Sequence, residues 1–212
     1  MKIERSEVYM LEIPFKRKFK HAESERKKTE NLVTKITLEN GITGFGEGVP
    51  REYVTGEIPS TSAKKLIEYY LPKLDDLNIS DFGECVNFLS GQEELIEGDT
   101  IYNSAKCSLE LALLDAYGKH FGKSVSAIAD VLKIKKVPFD EKVPQRFSYV
   151  FSMDEKINRL KTNALFFYGF KNFKFKINEE NDFSQIDRFI EIMKSKINSL
   201  DISMMVDANG SL

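Results

Sequence analysis

The chain has 212 residues, of which 42% are hydrophobic, and its 31 basic and 33 acidic side chains leave a net charge of −2. This length and composition predict a globular protein of one large domain or two small ones with a buried core. The near balance of charge excludes a global field that would attract nucleic acid or anionic lipid, so we expect a small-molecule partner.

The cysteines and the hydrophobic runs restrict the cellular setting. Cys85 and Cys107 are the two cysteines, too few for a disulfide framework and without metal-ligand spacing. No apolar run is long enough to span a bilayer, and the N-terminal segment alternates charged with apolar residues, unlike a signal peptide. We therefore expect a reduced, cytoplasmic protein without a membrane segment.

The first third of the chain predicts antiparallel strands. Alternation predicts a strand over residues 2–13 that Pro14 ends, and the dense charges of residues 16–30 predict a long loop. The segment "NLVTKITLENGITGFGEG" predicts a hairpin, because a β-branched run precedes the Asn40-Gly41 turn signal and a glycine-rich second strand. Three antiparallel strands therefore open the protein.

Helices are predicted after the hairpin. One starts near Thr61 or Ser62, where a hydroxyl can cap the first turn, and ends at Pro72. A second helix is predicted near residues 81–90.

The clearest helical pattern is "YNSAKCSLELALLDAYGKHFG", which Gly122 ends. We expect one apolar face, with Cys107 as a helix core residue and not as a nucleophile. The members of this face are Cys107, Leu111, Leu114 and Phe121. Three alanines that would permit close packing are Ala105, Ala112 and Ala116. Strands and helices together predict an α+β unit over residues 1–125.

A linker and a second kind of fold follow. A short helix is predicted near residues 124–132. We assign residues 126–142, which include most of this helix, to the linker between the two units. Residues 143–212 then alternate strand and helix as β-α-β-α-β, which predicts parallel strands, and the apolar run Met204-Met205-Val206 predicts burial on both faces.

Two architectures fit this alternation, a Rossmann-like sheet and a TIM-type β/α barrel. No G-x-G-x-x-G follows the first strand, which disfavours the dinucleotide-binding fold. A complete barrel takes about 250 residues. The second unit would therefore form the first three strands and two helices of an incomplete barrel.

Polar side chains close the second and third strands of this unit. Lys174 and Lys176 flank one phenylalanine, and Asp207-Ala208-Asn209 follows the apolar run. In α/β barrels the active site forms at the carboxyl ends of the strands. Two adjacent cations predict that one amine becomes a neutral general base, and Asp207 predicts a divalent-cation ligand. Base and metal together predict proton abstraction next to a carboxylate; a solvated sheet face is the alternative.

These motifs resemble the enolase superfamily, and within it the muconate lactonizing enzyme and mandelate racemase-like members. The resemblance rests on four motifs spread over essentially the whole chain, which in chain order are "GFGEGVPREYVTGE", "NSAKCSLELALLDAYGKHFGKSVS", "KFK" and "VDAN". It implies an α+β capping domain followed by a β/α barrel. It also implies Mg²⁺-dependent removal of the α-proton of a small carboxylate substrate.

The resemblance also implies roles for single residues. Lys176 resembles the base, Lys174 its electrostatic partner, and Asp207 the first metal ligand. Asn209 resembles a contact to the substrate or to the residues around the metal. The residues of the capping loop that would help to set specificity are Arg51, Tyr53 and Thr55, with Tyr53 as a surface aromatic side chain being the alternative.

The sequence departs from this family in one respect. Its enzymes take two further acidic metal ligands from the next two strands, and an opposing acid or base from later strands, which these 212 residues do not contain. We therefore predict an N-terminal fragment, inactive by itself, of a racemase, epimerase or cycloisomerase. The alternative is a non-catalytic binding or assembly module, because the edges of an incomplete sheet favour association, including formation of a homo-oligomer.

Overall fold

The computed structural model describes residues 1–21, 24–134, 147–151, 156–177, 183–197 and 202–208. Its internal contacts divide the chain into two units, Met1–Val137 and Pro138–Leu212. In the described ranges, no helix has the length and apolar character that crossing a membrane requires.

The first unit opens with an antiparallel sheet of order β1-β2-β3, as the sequence predicts. Its strands are β1 (Ile3–His21), β2 (Ser24–Leu38) and β3 (Thr43–Gly48). The predicted hairpin turn is confirmed, because Gly41 has a φ of +80° and its N–H donates to the Leu38 carbonyl at 2.8 Å. Such a positive φ is the conformation for which glycine is preferred.

The long loop predicted over residues 16–30 was wrong. β1 continues through Pro14, with a register shift between Pro14 and Phe19, and pairs with β2 as far as His21 and Ser24. A cross-strand ion pair offsets part of the dense charge: the Lys28 ammonium lies 2.7 Å from the Glu12 carboxylate. Pro14 did not end the strand because β1 is an edge strand, where a missing N–H is tolerated.

Helices and one small hairpin complete the first unit. The helices are α1 (Glu52–Thr55), α2 (Pro59–Lys65), α3 (Phe82–Ser90), α4 (Asn103–Phe121) and α5 (Ile128–Val131). α2 passes into a π-helical turn, Leu66–Tyr70, and a 3-10 turn, Leu71–Leu74, and a 3-10 turn, Val125–Ala127, precedes α5. The small hairpin pairs β4 (Ile96–Glu97) with β5 (Thr100–Ile101).

The helix starts were predicted with mixed success. A hydroxyl cap at Thr61 or Ser62 was wrong, because α2 begins at Pro59, a residue that suits a first helical turn, without a side-chain cap. The helix predicted near residues 81–90 is confirmed, and the Asp81 carboxylate accepts a hydrogen bond from the Glu84 N–H at 2.8 Å.

Strand β3 and helix α4 approach each other without side chains between them. A Cβ added to Gly46 would lie 2.0 Å from the Ser108 carbonyl oxygen, far inside van der Waals contact. The alanines predicted to permit close packing are confirmed as fully buried in α4: Ala105, Ala112 and Ala116.

The apolar face predicted for α4 was wrong for two of its four residues, since Leu114 and Phe121 are partly buried against the core. Cys107 and Leu111 are exposed, so Cys107 is not a core residue. The helix instead turns its alanines, together with Leu113 and Tyr117, towards the core. The reason is that Gly44, Gly46 and Gly48 of β3 lie against the backbone of α4. This close approach leaves room only for the side of α4 that carries its smallest side chains.

The second unit is a parallel sheet of order β6-β7-β8 with two helices. Its elements are β6 (Ser148–Phe151), α6 (Arg159–Phe167), β7 (Asn172–Lys176), α7 (Phe183–Ile197) and β8 (Ser203–Asp207). The fold class predicted from the sequence, an α+β unit followed by the first β/α units of a barrel, is confirmed.

An aromatic cluster holds this sheet to its helices. The Phe189 ring of α7 lies 4.9 Å from the Phe173 ring and 5.0 Å from the Phe175 ring of β7. Leu165 of α6 packs against the same cluster. Both helices therefore cover one face of the sheet, and the opposite face carries no described helix.

Burial of β8 on both faces was predicted and was wrong. Met204, Met205 and Val206 are 41%, 59% and 48% exposed. Among the described strands β8 pairs only with β7, so its outer side lacks a neighbour.

Candidate active site

The two candidate lysines lie on the open face of the parallel sheet. Phe173 and Phe175 alternate with them along β7 and are buried under α7, whereas Lys174 and Lys176 are half-buried on the opposite face. The period of two in a β-strand explains this segregation. In a β/α barrel the face opposite the helices is the interior, so the lysines are directed as a barrel site requires.

Strand register brings Asp207 to the same place. Lys176 and Asp207 are Cα partners in the β7–β8 ladder, and the Ile177 N–H donates to the Asp207 carbonyl at 3.0 Å. The Asp207 carboxylate therefore projects on the open face beside the lysines. Lys176 and Asp207 are each the last residue of their strand.

Lys174 and Asp207 form an ion pair. The Lys174 Nζ lies 2.6 Å from the Asp207 Oδ2, and the two side chains are 30% and 28% exposed. At that distance the contact is a charge-assisted hydrogen bond. Lys176 forms no ion pair with the described residues, so the two lysines differ in their electrostatic environment.

The described residues do not form a complete Mg²⁺ site. Among them, no group of three or more His, Cys, Asp or Glu side chains is arranged to hold a metal. Mg²⁺ prefers octahedral oxygen coordination, to which Asp207 can contribute one carboxylate that Lys174 already contacts. Asn209, predicted to contact the substrate, lies outside the described residues.

The three candidate residues of the capping loop lie in and beside the short helix α1. Arg51 is its N-cap; the Arg51 N–H donates to the Thr55 Oγ1 at 3.2 Å, and this hydroxyl lies 3.1 Å from the Arg51 carbonyl oxygen. The Thr55 hydroxyl therefore closes the turn. The Arg51 Nε is buried without a hydrogen-bond partner in the described part of the chain, and Tyr53 is half-buried.

A buried carboxylate beside this loop was missed from the sequence. Glu57 is fully buried, and its carboxylate accepts hydrogen bonds from the Ser62 Oγ and from the Ser104 N–H at the start of α4, both at 2.9 Å. A negative charge at a helix N-terminus is favourable. The contact fixes the end of the capping loop to α2 and α4. Ser104 follows Glu57 by 47 residues, so no local pattern signals this contact.

Curated proteins that match this chain do so at low sequence identity. No protein-family model matches the chain. The L-Ala-D/L-Glu epimerase of Clostridium acetobutylicum is 26% identical over 199 residues, which are 94% of this chain and 51% of the epimerase. The chain spans about half the length of the curated relatives it matches.

Solved structures share the fold. An enolase-superfamily protein from Listeria innocua has a TM-score of 0.69 at 23% identity, covering 100% of this chain and 52% of that protein. A dipeptide epimerase from Methylococcus capsulatus, complexed with Mg and the dipeptide L-Arg-D-Lys, has a TM-score of 0.63 at 19% identity. The match covers 100% of this chain and 55% of the epimerase. These findings confirm the resemblance to the enolase superfamily over about half of a member's length.

Proposed function

We propose that this chain, which resembles enolase-superfamily epimerases and racemases over half their length, is the N-terminal portion of an enzyme that removes the α-proton of a small carboxylate substrate. The reaction class would be racemisation, epimerisation or cycloisomerisation. The 212 residues alone would have no turnover, because they supply only one side of such a site.

One observation supports this proposal above the others. Lys174, Lys176 and Asp207 lie together on the sheet face opposite the helices. A solvated strand face would not require a carboxylate to meet the lysine pair at the strand ends. Convergence of a potential base and a carboxylate is typical of proton-abstracting sites.

The different environments of the two lysines support different roles. The Lys174 ammonium is held by Asp207 at 2.6 Å, which favours an orienting and charge-balancing role for Lys174. Lys176 has no carboxylate partner among the described residues and lies nearer the end of β7, so we assign it the role of base.

Substrate contacts and the metal belong to the same proposal. We assign Arg51, Tyr53 and Thr55 to substrate recognition and Asn209 to the neighbourhood of Asp207. A Mg²⁺ site requires carboxylates beyond the described residues, and Asp207 supplies one of its ligands at most. The ion, when bound, would stabilise negative charge that forms on the substrate carboxylate.

The test compares the 212-residue chain with the longest natural product of the same gene. Exchange of the α-proton of L-Ala-L-Glu in D₂O with MgCl₂, followed by NMR, is expected only for the longer product. Isothermal titration should likewise show Mg²⁺ binding only by the longer product, and Asp207→Asn should weaken it.

Two substitutions in the longer product test the roles. Lys176→Met should abolish exchange, whereas Lys171→Met, which removes an exposed lysine just before β7, should leave it unchanged. Exchange by the 212-residue chain would refute its predicted inactivity. Undiminished exchange by Lys176→Met would refute the assignment of the base.

A second candidate function is a non-catalytic assembly module. The observation that favours it is the exposure of Met204, Met205 and Val206 along β8. Absence of both Mg²⁺ binding and exchange in the longer product would favour this function over the enzyme.

A further inference from the structure

One residue of α4, Ser104, contacts both ends of the capping loop. The loop leaves β3 at Gly48, where an added Cβ would lie 2.0 Å from the Ser104 carbonyl oxygen, so the two backbones are in direct contact. At the other end of the loop, the Glu57 carboxylate accepts a hydrogen bond from the Ser104 N–H at 2.9 Å. The loop is therefore closed at its base on a single residue of α4.

Glu57 also caps α4 from outside the helix. The N-cap residue of α4, Tyr102, makes no side-chain hydrogen bond to the first turn. The Glu57 carboxylate supplies an acceptor for the Ser104 N–H and places a negative charge at the helix N-terminus, where it is favourable. Its second oxygen accepts a hydrogen bond from the Ser62 Oγ of α2 at 2.9 Å. Because Glu57, Ser62 and Ser104 are all buried, water does not replace these hydrogen bonds when the carboxylate is lost.

Local hydrogen bonds order the loop between these two ends. The Thr55 N–H donates to the Arg51 carbonyl at 2.7 Å, and the Gly56 N–H donates to the Glu52 carbonyl at 3.1 Å. Gly56 has a φ of +71°, a conformation that glycine adopts without strain, so the chain turns directly from α1 into the anchored end of the loop. A single helical turn is not stable by itself in water. The order of this segment therefore depends on the anchors at its two ends.

We propose that Glu57 is a positioning residue for substrate recognition: by holding the capping loop on α4 and α2, it keeps Arg51 and Tyr53 in the arrangement that binds the substrate. This inference rests on the proposed function, which assigns recognition to this loop. Glu57 is fully buried, so it acts through the loop and not by contact with the substrate. Without the anchor, the apparent affinity falls in proportion to the fraction of molecules whose loop is correctly placed. Lys176, the assigned base, belongs to the second unit, so substrate binding should change more than the chemical step.

Steady-state kinetics of α-proton exchange of L-Ala-L-Glu by the longest natural product test the inference. In Glu57→Ala, KM should rise about tenfold while kcat stays within about twofold of the wild type, as expected when the loop is correctly placed in about one molecule in ten. In Glu57→Gln, both constants should stay close to those of the wild type. The amide oxygen accepts from the Ser104 N–H, and the Ser62 hydroxyl can turn to accept from the amide N–H. Ser62→Ala removes one of the two contacts, so its KM should rise less, and it replaces Glu57→Ala in the test if that variant does not fold.

Asp81→Ala is the matched control. The Asp81 carboxylate likewise caps a helix of the first unit, α3, by accepting from the Glu84 N–H at 2.8 Å, but it is not part of the capping loop. This variant should lose stability and keep the KM and kcat of the wild type. An equal rise in KM in Asp81→Ala and Glu57→Ala, or an unchanged KM in Glu57→Ala, would overturn the inference.

Amide hydrogen exchange of the 212-residue chain gives a readout that needs no activity. Exchange of the Thr55 and Gly56 N–H groups should be faster in Glu57→Ala than in the wild type, and unchanged in Glu57→Gln and Asp81→Ala. Unchanged exchange in Glu57→Ala would overturn the inference even in an active enzyme. Absence of α-proton exchange by the wild-type longer product would instead refute the proposed function and, with it, the recognition role. The amide exchange would still decide whether Glu57 orders the loop.

Discussion

The Lys174 ammonium and the Asp207 carboxylate are in direct contact at 2.6 Å, across neighbouring strands of the parallel sheet. The residue that the sequence predicts as an electrostatic partner of the base thus meets the residue predicted as a metal ligand. Each charge is satisfied by the other within the chain, so a cation approaching Asp207 would have to compete with Lys174.

A double-mutant cycle should measure this pair. Lys174→Met and Asp207→Asn should each lower the free energy of unfolding, and we expect a coupling of about 0.5–1 kcal/mol, because both side chains are about 30% exposed. Urea denaturation of the four variants supplies the values. The coupling should shrink in about 1 M NaCl, where the Debye length is about 3 Å.

Lys171→Met with Asp207→Asn is the control cycle, since Lys171 is an exposed lysine of the same segment. Its coupling should be near zero. Equal couplings in the two cycles would show that the 2.6 Å contact contributes nothing specific to stability.

The contact between β3 and α4 predicts intolerance to a single methyl group. In Gly46→Ala the new Cβ would lie 2.0 Å from the Ser108 carbonyl oxygen and 2.4 Å from the Ala112 nitrogen, so strand and helix must separate. We expect a loss of several kcal/mol, in the range of severe overpacking. Thermal unfolding followed by circular dichroism measures it.

Gly91→Ala is the matched control. Gly91 has a φ of −86°, and an added Cβ would meet its nearest atoms at 3.6 Å, an ordinary contact distance. This variant should unfold within about 1 kcal/mol of the wild type. A similarly mild effect of Gly46→Ala would contradict the close approach of β3 and α4.

Removal of the Glu57 carboxylate should weaken the first unit. Glu57→Ala leaves the Ser104 N–H and the Ser62 hydroxyl buried without their acceptor, at an expected cost of about 1–3 kcal/mol. Glu93→Ala, at an exposed position, should cost less than about 0.5 kcal/mol. Denaturant titration compares them, and hydrogen exchange should increase at residues 51–58 only in Glu57→Ala. Equal losses in the free energy of unfolding of the two variants would contradict the anchoring role of Glu57.

Stability should fall at alkaline pH because of Cys85. Burial raises the pKa of its thiol from 9.0 to about 12. Between these values the unfolded chain releases a proton that the folded chain keeps, so the free energy of unfolding decreases as pH rises. The expected loss from this thiol between pH 8 and pH 10 is about 1.4 kcal/mol.

Cys85→Ala separates this effect from other alkaline transitions. The variant starts from a lower stability, but its decline between pH 8 and pH 10 should be shallower by the contribution of the missing thiol. The measurement should stay below pH 10, since burial also raises the pKa of the Tyr117 hydroxyl. Parallel pH profiles of variant and wild type would exclude Cys85 as the cause.

The sequence predicted the features that depend on local pattern. The period of two along β7 separated its lysines from its phenylalanines, and strand–helix alternation indicated a parallel sheet on which Asp207 would approach them. The Asn40-Gly41 turn followed from the same kind of signal.

The sequence failed where a partner distant in the chain decides the outcome. Residues 16–30 look like a loop until Glu12 and Lys28 are known to form an ion pair between two neighbouring strands. The buried side of α4 cannot be read from its own apolar residues, because Gly46 on β3 determines which side fits. Met205 is exposed because, among the described strands, only β7 lies beside β8, and the sequence of β8 does not indicate how many neighbours it has.

The β1–β2 hairpin has a mechanical consequence. β3 ends opposite Leu32, but β1 and β2 remain paired to His21 and Ser24, so a two-stranded arm extends about 25 Å beyond the third strand. Its ladder is interrupted by the register shift between Pro14 and Phe19, so we expect the arm to bend there and its outer part to move independently of the three-stranded sheet.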